Sequence, residues 1–510
     1  MTSQAIRISE KDSVATLLAD GKKGEEAAVR LADRTEAVTL LEDIPFGHKA
    51  AVRRIEKGEP VLKYGEEIGR ASQRIEKGAW VHVHNIESVR GRGDLSAAAG
   101  SLPEDDFSGM PENGRITMEP PALDASSFTF LGWPRPDGQA GTRNFVGVLS
   151  AVACANDVAL RAAGPHAAVF THQQGCSQTA PDVRLVEKVL VNLGRNPNLG
   201  AVVLLSLGCE SVRSEWVAEE IRKSGKPVEL IVLQKEGGLT ESSEKARAAA
   251  ERLWKSIESD PVPCPVSKLR LGLKCGSSDT TQGLSANLAV GKATDIFTAA
   301  GARVVIGETT EFMGAEHIAA RRAKDAGVAR QIIETVAAME ARARAMGVDM
   351  RGGQPTRGNI AGGLSTIEEK SLGALAKAGS SVFQAVVPYG SVSEAPGLTF
   401  MDAPGREPEM LTGLAAAGCN LVAFATGRGA PQGFPFVPVV KVTGNIRTWS
   451  VMREHMDVCV SGVITGEESV ESAGKRVFEA LMSAARGEPT AAEKSGYTNS
   501  MNIWTVGPAI

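Results

Sequence analysis

Seven cysteines and seven histidines are spread unevenly along 510 residues. Cys154, Cys176, Cys209 and Cys275 each sit at the end of an apolar run: FVGVLSAVAC, AAVFTHQQGC, AVVLLSLGCE and LRLGLKCG. Continuous apolar runs of this kind read as strands buried on both faces. The four thiols then fall at the carboxyl ends of four strands, where open α/β sheets bind their ligands. His172, Glu210 and Asp279 stand close to these cysteines in sequence, and Glu308 and Glu311 end the next strand. Soft thiolates, an imidazole and carboxylates on one sheet edge suit a metal or an iron–sulfur centre. A single cysteine is more often a small buried hydrophobe, but four with acidic neighbours favour chemistry. The spacing is not Cys-x-x-Cys, so no zinc ribbon is present. Cys264, Cys419 and Cys459 are assigned to packing.

Two further groups have reactive side chains. His82 and His84 in WVHVHN are two apart, so on a strand they share one face. Together with His48 and Lys49 of IPFGHKA, they suit acid–base work or metal ligation near neutrality. The competing reading is a polar edge strand. His166, His317 and His455 occur singly and read as structural. Arg143 in Gly141-Thr142-Arg143-Asn144 and Arg428 in Gly427-Arg428-Gly429 stand on glycine-flanked loops beside strands. A guanidinium there can fork onto a carboxylate; the alternative for each is a surface ion pair. Neither a Gly-x-Gly-x-x-Gly turn nor a phosphate-cradling P-loop sequence is present, so nucleotide binding has no support.

These residues need a scaffold. Residues 1–88 carry short β-type runs punctuated by glycine and read as a small β-rich domain. Residues 89–127, rich in Gly, Pro, Ser and acid, read as an extended linker. From Phe128, apolar strands alternate with helical stretches at 181–194, 213–224, 242–258 and 314–346, the pattern of a parallel sheet covered on both faces. A second set of strands from about 380 reads as a second α/β lobe, giving lobes at 128–380 and 381–510. The expected fold class is α/β: a small β domain and a large two-lobed part with mostly parallel sheets. The net charge of −4, from 56 basic and 60 acidic residues, argues against nucleic acid. Aromatics are only 5% of a chain with 55 glycines, which disfavours a stacking surface. The N-terminus has no signal-peptide pattern and no run is long enough to span a membrane. A cytoplasmic protein with reduced thiols is expected.

The chain resembles the altronate/galactarate dehydratase family of sugar-acid hydro-lyases. The resemblance rests on Ile44-Pro45-Phe46-Gly47-His48-Lys49, Lys63-Tyr64-Gly65 and Val81-His82-Val83-His84-Asn85 in a region similar to the family's SAF-type domain. It continues through Gly141-Thr142-Arg143-Asn144, His172 with Gly175-Cys176, Gly208-Cys209-Glu210 and Cys275-Gly276-Ser277-Ser278-Asp279. Ala286-Asn287, Glu308 with Glu311, Gly358-Asn359, Glu369-Lys370 and Thr426-Gly427-Arg428-Gly429 extend it over nearly the whole chain. The departures are specific. Ser277 and Thr280 replace glycines, Leu288 replaces a proline, and Gln354-Pro355-Thr356-Arg357-Gly358-Asn359-Ile360 is closer to the large subunit of (2R)-sulfolactate sulfo-lyase.

The resemblance implies β-elimination from a small anionic 2-hydroxy acid. A base removes the C2 proton and the C3 substituent leaves, giving a 2-keto-3-deoxy acid when hydroxide departs. It implies a divalent metal, Fe²⁺ or Mn²⁺, which with the cysteine set leaves an iron–sulfur cluster as the alternative. The implied ligands are Cys154, His172, Cys176, Cys209, Glu210, Cys275, Glu308 and Glu311. His48, His82, His84 and Lys49 are the implied catalytic group. Arg143, Asn144, Asp279, Asn287, Arg357, Asn359, Lys370 and Arg428 are the implied substrate contacts. A homo-oligomer is expected, with neither nucleic acid nor membrane as partner. The competing activities are elimination of sulfite from sulfolactate and non-catalytic binding of acidic sugars.

Overall fold

The computed structural model describes residues 3–32, 34–91, 128–351, 353–498 and 501–508; the expected linker lies almost wholly outside them. Residues 3–91 form the expected β domain. A six-stranded sheet has Ser3–Ile6, Val14–Leu17 and Lys49–Ala51 near its middle, and a three-stranded sheet of Pro60–Lys63, Glu66–Ala71 and Ile86–Glu87 lies beside it. Three turns repeat one pattern: Ile44, Ile55 and Ile75 are each buried and each is followed three residues later by a glycine, Gly47, Gly58 or Gly78. The glycines have φ of 80°, 82° and 86°, a region that other residues enter only at a cost. After Gly58 and Gly78 the chain continues into ordinary strand. After Gly47 it delivers His48 and Lys49, both buried.

Residues 145–257 form a four-stranded parallel sheet in the order Ala167–Phe170, Phe145–Ser150, Leu199–Ser206, Val228–Val232. Leu199–Ser206 is buried at every position, as a continuous apolar run requires. Helices Ala180–Arg195, Ser214–Arg222 and Leu239–Ile257 match the expected helical stretches within a few residues.

The C-terminal part is built on a seven-stranded sheet, parallel throughout, in the order Phe383–Val387, Gly397–Met401, Arg303–Ile306, Arg270–Gly276, Leu421–Thr426, Val439–Thr443, Val458–Cys459. It takes strands from both sides of residue 380, so the expected lobe boundary there has no counterpart. Hydrophobic alternation reveals each strand but not which strands pair. Cys275 therefore belongs to a different sheet from Cys154, Cys176 and Cys209, and the four thiols do not share one edge. The helical stretch at 314–346 is two helices, Glu316–Arg321 and Ala326–Ala345, because the Asp325 carboxylate accepts from Val328 N and caps a new start. The two sheets share one core: Leu190, Leu193 and Val217 pack in a single cluster with Met410, Leu414 and Phe424. No described helix is long and apolar enough to cross a membrane.

Candidate active site

In the seven-stranded sheet the chain first lays down Arg270–Gly276, builds outward on one side, and then returns to place Leu421–Thr426 on the other. The crevice beyond the carboxyl ends of these two strands is the topological switch point, the habitual ligand site of such sheets. One wall is Ser277-Ser278-Asp279, with Ser277 at φ 47°. A fully buried π-helical turn, Gln282–Ala286, follows, a local irregularity common at functional sites. Asp279 accepts from Thr281 Oγ1 at 2.6 Å, from Thr281 N at 2.9 Å and from Asn445 Nδ2 at 2.7 Å. Burial still pushes its carboxyl above the ordinary range, against those donors. The facing wall is Thr426-Gly427-Arg428, whose Gly427 presses against Asp279 so closely that any side chain would overlap it. Arg428 is exposed and donates to Gly358 O at 2.7 Å, while Asn359 Nδ2 donates to Ser278 O at 3.0 Å. Four distant motifs thus converge here.

The β domain forms the cover. Trp80 Nε1 donates to His48 Nδ1 at 3.2 Å, which leaves the His48 proton on Nε2, 3.4 Å from Ala361 O. The His82 ring centroid is 4.7 Å from that of His48, and its Nδ1 lies 3.2 Å from Ser365 Oγ. Burial and the neighbouring Lys49 charge lower both imidazoles, His82 to about 3, so both are neutral near pH 7. His84 is exposed, its ring 5.4 Å from that of Trp80.

Beneath the histidines lies a buried ion triad. Lys49 Nζ donates to Gly363 O at 2.7 Å, Ser365 Oγ at 2.8 Å and Glu369 Oε2 at 2.8 Å. Lys63 Nζ donates to Glu369 Oε1 at 2.8 Å. Burial opposes ionisation of Glu369, but the two ammonium groups outweigh it and hold the carboxyl down at about 2. For Lys49 burial wins over Glu369 and, with the Lys63 charge, lowers it to about 8. Lys63 stays raised despite burial, because Glu369 and the Tyr64 phenol both favour its charge.

Deeper in the crevice Cys275, Glu308 and Glu311 bring ligand atoms within 4.8 Å of one another. That spacing suits an ion; the charges do not. Lys377 Nζ bridges Glu311 Oε2 at 2.8 Å and Cys275 Sγ at 3.4 Å, Lys274 pairs with Glu308, and Lys370 lies 3.5 Å from Glu311 Oε1. Two carboxylates already face three ammonium groups, which leaves no uncompensated negative charge for a cation, and burial together with Glu311 drives the Cys275 thiol upward. Burial and Glu311 push Glu308 up to about 7, while Lys377 and Lys370 hold Glu311 low against burial. This set does not fit a divalent metal. Ser278 Oγ, Thr280 Oγ1, Asn287 Oδ1 and Thr310 Oγ1 are buried with no hydrogen-bond partner. Such atoms cost about 1–3 kcal/mol each unless a ligand satisfies them. The cavity lined by Tyr64, Cys275, Ser278, Asp279, Asn287 and Lys370 is only about 10 Å³. On the other side of Ser365 a cavity of about 320 Å³, the size class of small-molecule sites, reaches Arg90, Arg351 and Gln354.

The remaining expected residues lie elsewhere. Cys154, Cys176 and Cys209 are exposed on the second domain. His172 there is buried with both ring nitrogens engaged, Nε2 by Ser150 O at 2.8 Å and Nδ1 by Gln174 N at 3.1 Å. Glu210 turns inward to accept from Ser206 and Ser214 hydroxyls. Arg143 and Asn144 precede their strand and so lie at the opposite end from the crevice. Arg143 is held by Glu493 at 2.8 Å and by backbone carbonyls, and Asn144 Nδ2 donates to Ile257 O at 2.9 Å. Arg357 is exposed at the start of the short helix Arg357–Ala361, beside the Arg428 loop. Lys370 donates to Gln354 Oε1 at 2.6 Å. Sequence reading passed over Lys274, Lys377 and Ser365, and quoted Lys63 within Lys63-Tyr64-Gly65 without giving it a role. Lys274 had a signal, a cation next to Cys275 inside the strand-like run LRLGLKCG, which holds Arg270 at its other end.

Three family models match in succession. They are the altronate/galactarate dehydratase SAF domain over residues 3–89, the D-galactarate dehydratase/altronate hydrolase second domain over 132–258, and the D-galactarate/altronate dehydratase C-terminal domain over 266–509. Altronate dehydratase of Escherichia coli is 31% identical over 97% of both chains. That of Bacillus subtilis is 32% identical over 86% of this chain and 87% of its own. The (2R)-sulfolactate sulfo-lyase subunit beta of Chromohalobacter salexigens is 38% identical over 95% of its length and 72% of this chain. With these three matches in succession and a relative aligned over nearly its whole length, the chain belongs to the altronate/galactarate dehydratase family of hydro-lyase enzymes.

Proposed function

We propose that this enzyme dehydrates a sugar acid of the altronate or galactarate type to a 2-keto-3-deoxy acid, at the crevice covered by the SAF domain. The observation that carries this reading is the neutral His82–Ser365–Lys49 arrangement on the SAF side, set against a crevice whose buried polar atoms lack partners. The Lys49 ammonium donates to Ser365 Oγ, and we assign the proton of the 3.2 Å Ser365–His82 contact to His82 Nδ1, with Ser365 Oγ accepting. His82 Nε2 is then the unprotonated nitrogen that takes the C2 proton. His48, with its proton on Nε2, supports the stack rather than acting as the base. Arg428 and Arg357, exposed at the rim, suit the substrate carboxylate. Ser278, Thr280 and Asn287 suit its hydroxyls, and Lys370 supplies positive charge where the enediolate develops. No step passes through a metal at Cys275, Glu308 and Glu311, because lysines occupy that role. The cavity of about 10 Å³ admits no sugar acid, so the SAF domain must part from the crevice to load one.

Elimination of sulfite from sulfolactate is the second reading, favoured by the 38% identity to the sulfo-lyase subunit. The fused SAF domain and the end-to-end match to altronate dehydratase favour dehydration. A panel decides: 2-keto acid formation from altronate and galactarate, and sulfite release from sulfolactate, each with enzyme prepared anaerobically and supplied with Fe²⁺ or Mn²⁺. Dehydration predicts keto acid from a sugar acid. Sulfite release alone would replace the first reading with the second, and no turnover on any of the three would overturn both.

A further inference from the structure

The second domain has a switch point of its own. Its sheet order places Phe145–Ser150 between Ala167–Phe170 and Leu199–Ser206, so the loops leaving three adjacent strands open onto one edge. Cys154, Cys176 and Cys209 stand on those three loops. All three are exposed and free, whereas Cys264, Cys275 and Cys419 are buried and Cys459 is half-buried. The loops touch: Cys176 Sγ lies 4.0 Å from the carbonyl oxygen of Cys209. They are also fixed in shape. Ser177 holds φ 59° and Gly208 φ 114°, and the Glu210 carboxylate accepts from Ser206 and Ser214 hydroxyls at 2.5 Å and from Gly208 N at 2.7 Å. With Glu210 turned inward and His172 engaged at both nitrogens, the ligands this edge offers are sulfur alone.

We infer that Cys154, Cys176 and Cys209 hold an iron–sulfur cluster of the [4Fe–4S] kind, three irons bound by the protein and the fourth carrying no ligand from the described residues. A sulfur-only set selects soft metals and iron–sulfur clusters over hard ions such as Mg²⁺. A structural zinc takes four protein ligands, and this edge supplies three. Among the described residues the ligating atoms grouped closely enough for one ion are those of Cys275, Glu308 and Glu311. Three thiols carried to one edge by separate loops suit a cluster instead, in which each of several irons takes one thiolate. Their exposure leaves the edge open to cluster assembly. The inference stands on these loops and not on the substrate, so it is tested without one.

The full chain, purified and reconstituted anaerobically with ferrous iron and sulfide, is expected to retain roughly four irons and four inorganic sulfides, with broad visible absorption that dithionite bleaches. Cys154→Ala, Cys176→Ala and Cys209→Ala should each lose at least half of the sulfide and of the visible band. Cys264→Ala and Cys275→Ala should retain both, with melting curves showing that every variant compared is folded. Wild-type protein that retains no sulfide overturns the inference. So does one zinc per chain held without sulfide, or a Cys275→Ala variant that loses the chromophore as fully as Cys209→Ala.

Discussion

The molecule contains two crevices of one topological kind with opposite contents. Both lie beyond the carboxyl ends of parallel strands where the order of strand addition reverses. The crevice of the C-terminal sheet is dry, lined by paired carboxylates and ammonium groups, and covered by the SAF domain. The crevice of the second domain is open, with three exposed thiols on its loops, and among the described residues the C-terminal stretch reaches only the Gln173–Gln174 part of one loop through Ile503 and Thr505. Topology therefore fixes where a site can form, while the loop residues and the cover decide its chemistry. In the covered crevice every charge needs a partner, because burial of an unpaired ion is expensive. In the open one water serves instead.

Breaking the proposed base gives the largest effect. His82→Ala should lower kcat/KM by about 10²–10⁴-fold, the usual worth of general base catalysis, while the circular dichroism spectrum is unchanged. An effect below about tenfold would move the base elsewhere. The covered crevice should also be the more fragile. Glu369→Leu strands Lys49 and Lys63 in the interior and should cost about 3–5 kcal/mol in chemical denaturation. Glu210→Gln in the open crevice, where the carboxylate is met by hydroxyls, should cost about 1–3 kcal/mol. Equal losses would erase the contrast.

Acidity sharpens the same comparison. The Glu369 carboxyl is lowered from 4.5 to about 2, so its stabilisation is complete above 4.5 and is lost as pH falls toward 2. Tryptophan fluorescence of Trp80, at the seam, should report loosening of the SAF domain in that window, and Glu369→Gln should remove the dependence. On the alkaline side Lys49, lowered to about 8, loses the charge that orders Ser365. The kcat/KM profile should therefore decline above about 8 yet stay level below the ordinary histidine value of about 6.5. Arg428→Ala should raise KM about tenfold, about 1.4 kcal/mol of binding, with kcat nearly unchanged. The smallest effect is a gain. Ser277 sits at φ 47°, where a side chain is strained, so Ser277→Gly should add about 1 kcal/mol of stability. Its melting temperature should exceed that of wild type.

Much of this was legible in the sequence, and particular residues show where legibility stops. The apolar runs marked the strands, and the residues after them marked both crevices. Which strands pair is a long-range property, so Cys275 was grouped with thiols of another sheet. Arg143 looked like an anion ligand because a glycine-flanked arginine has the same local pattern at either end of a strand. Only the fold shows it at the wrong end, bound to Glu493. Lys377 gave no local signal and Lys63 stood in a motif without a role, because what matters about both is the carboxylate brought to them from elsewhere in the chain. Ser277, read as a departure from the family's glycine, turned out to occupy the one backbone region where that glycine is physically preferred.

The packing of the three domains has a mechanical consequence. The second and C-terminal domains share a continuous apolar core, whereas the SAF domain has two small cores, joined to the rest by Leu372 packing on one of them and by polar contacts such as Arg30 to Thr465 O and Thr366 to Ile68 O. The seam is therefore the most polar junction in the molecule, with His48, His82 and Lys49 on the SAF side and both crevices on the other. Loading of substrate through that seam predicts that solvent viscosity slows turnover even when the chemistry is fast.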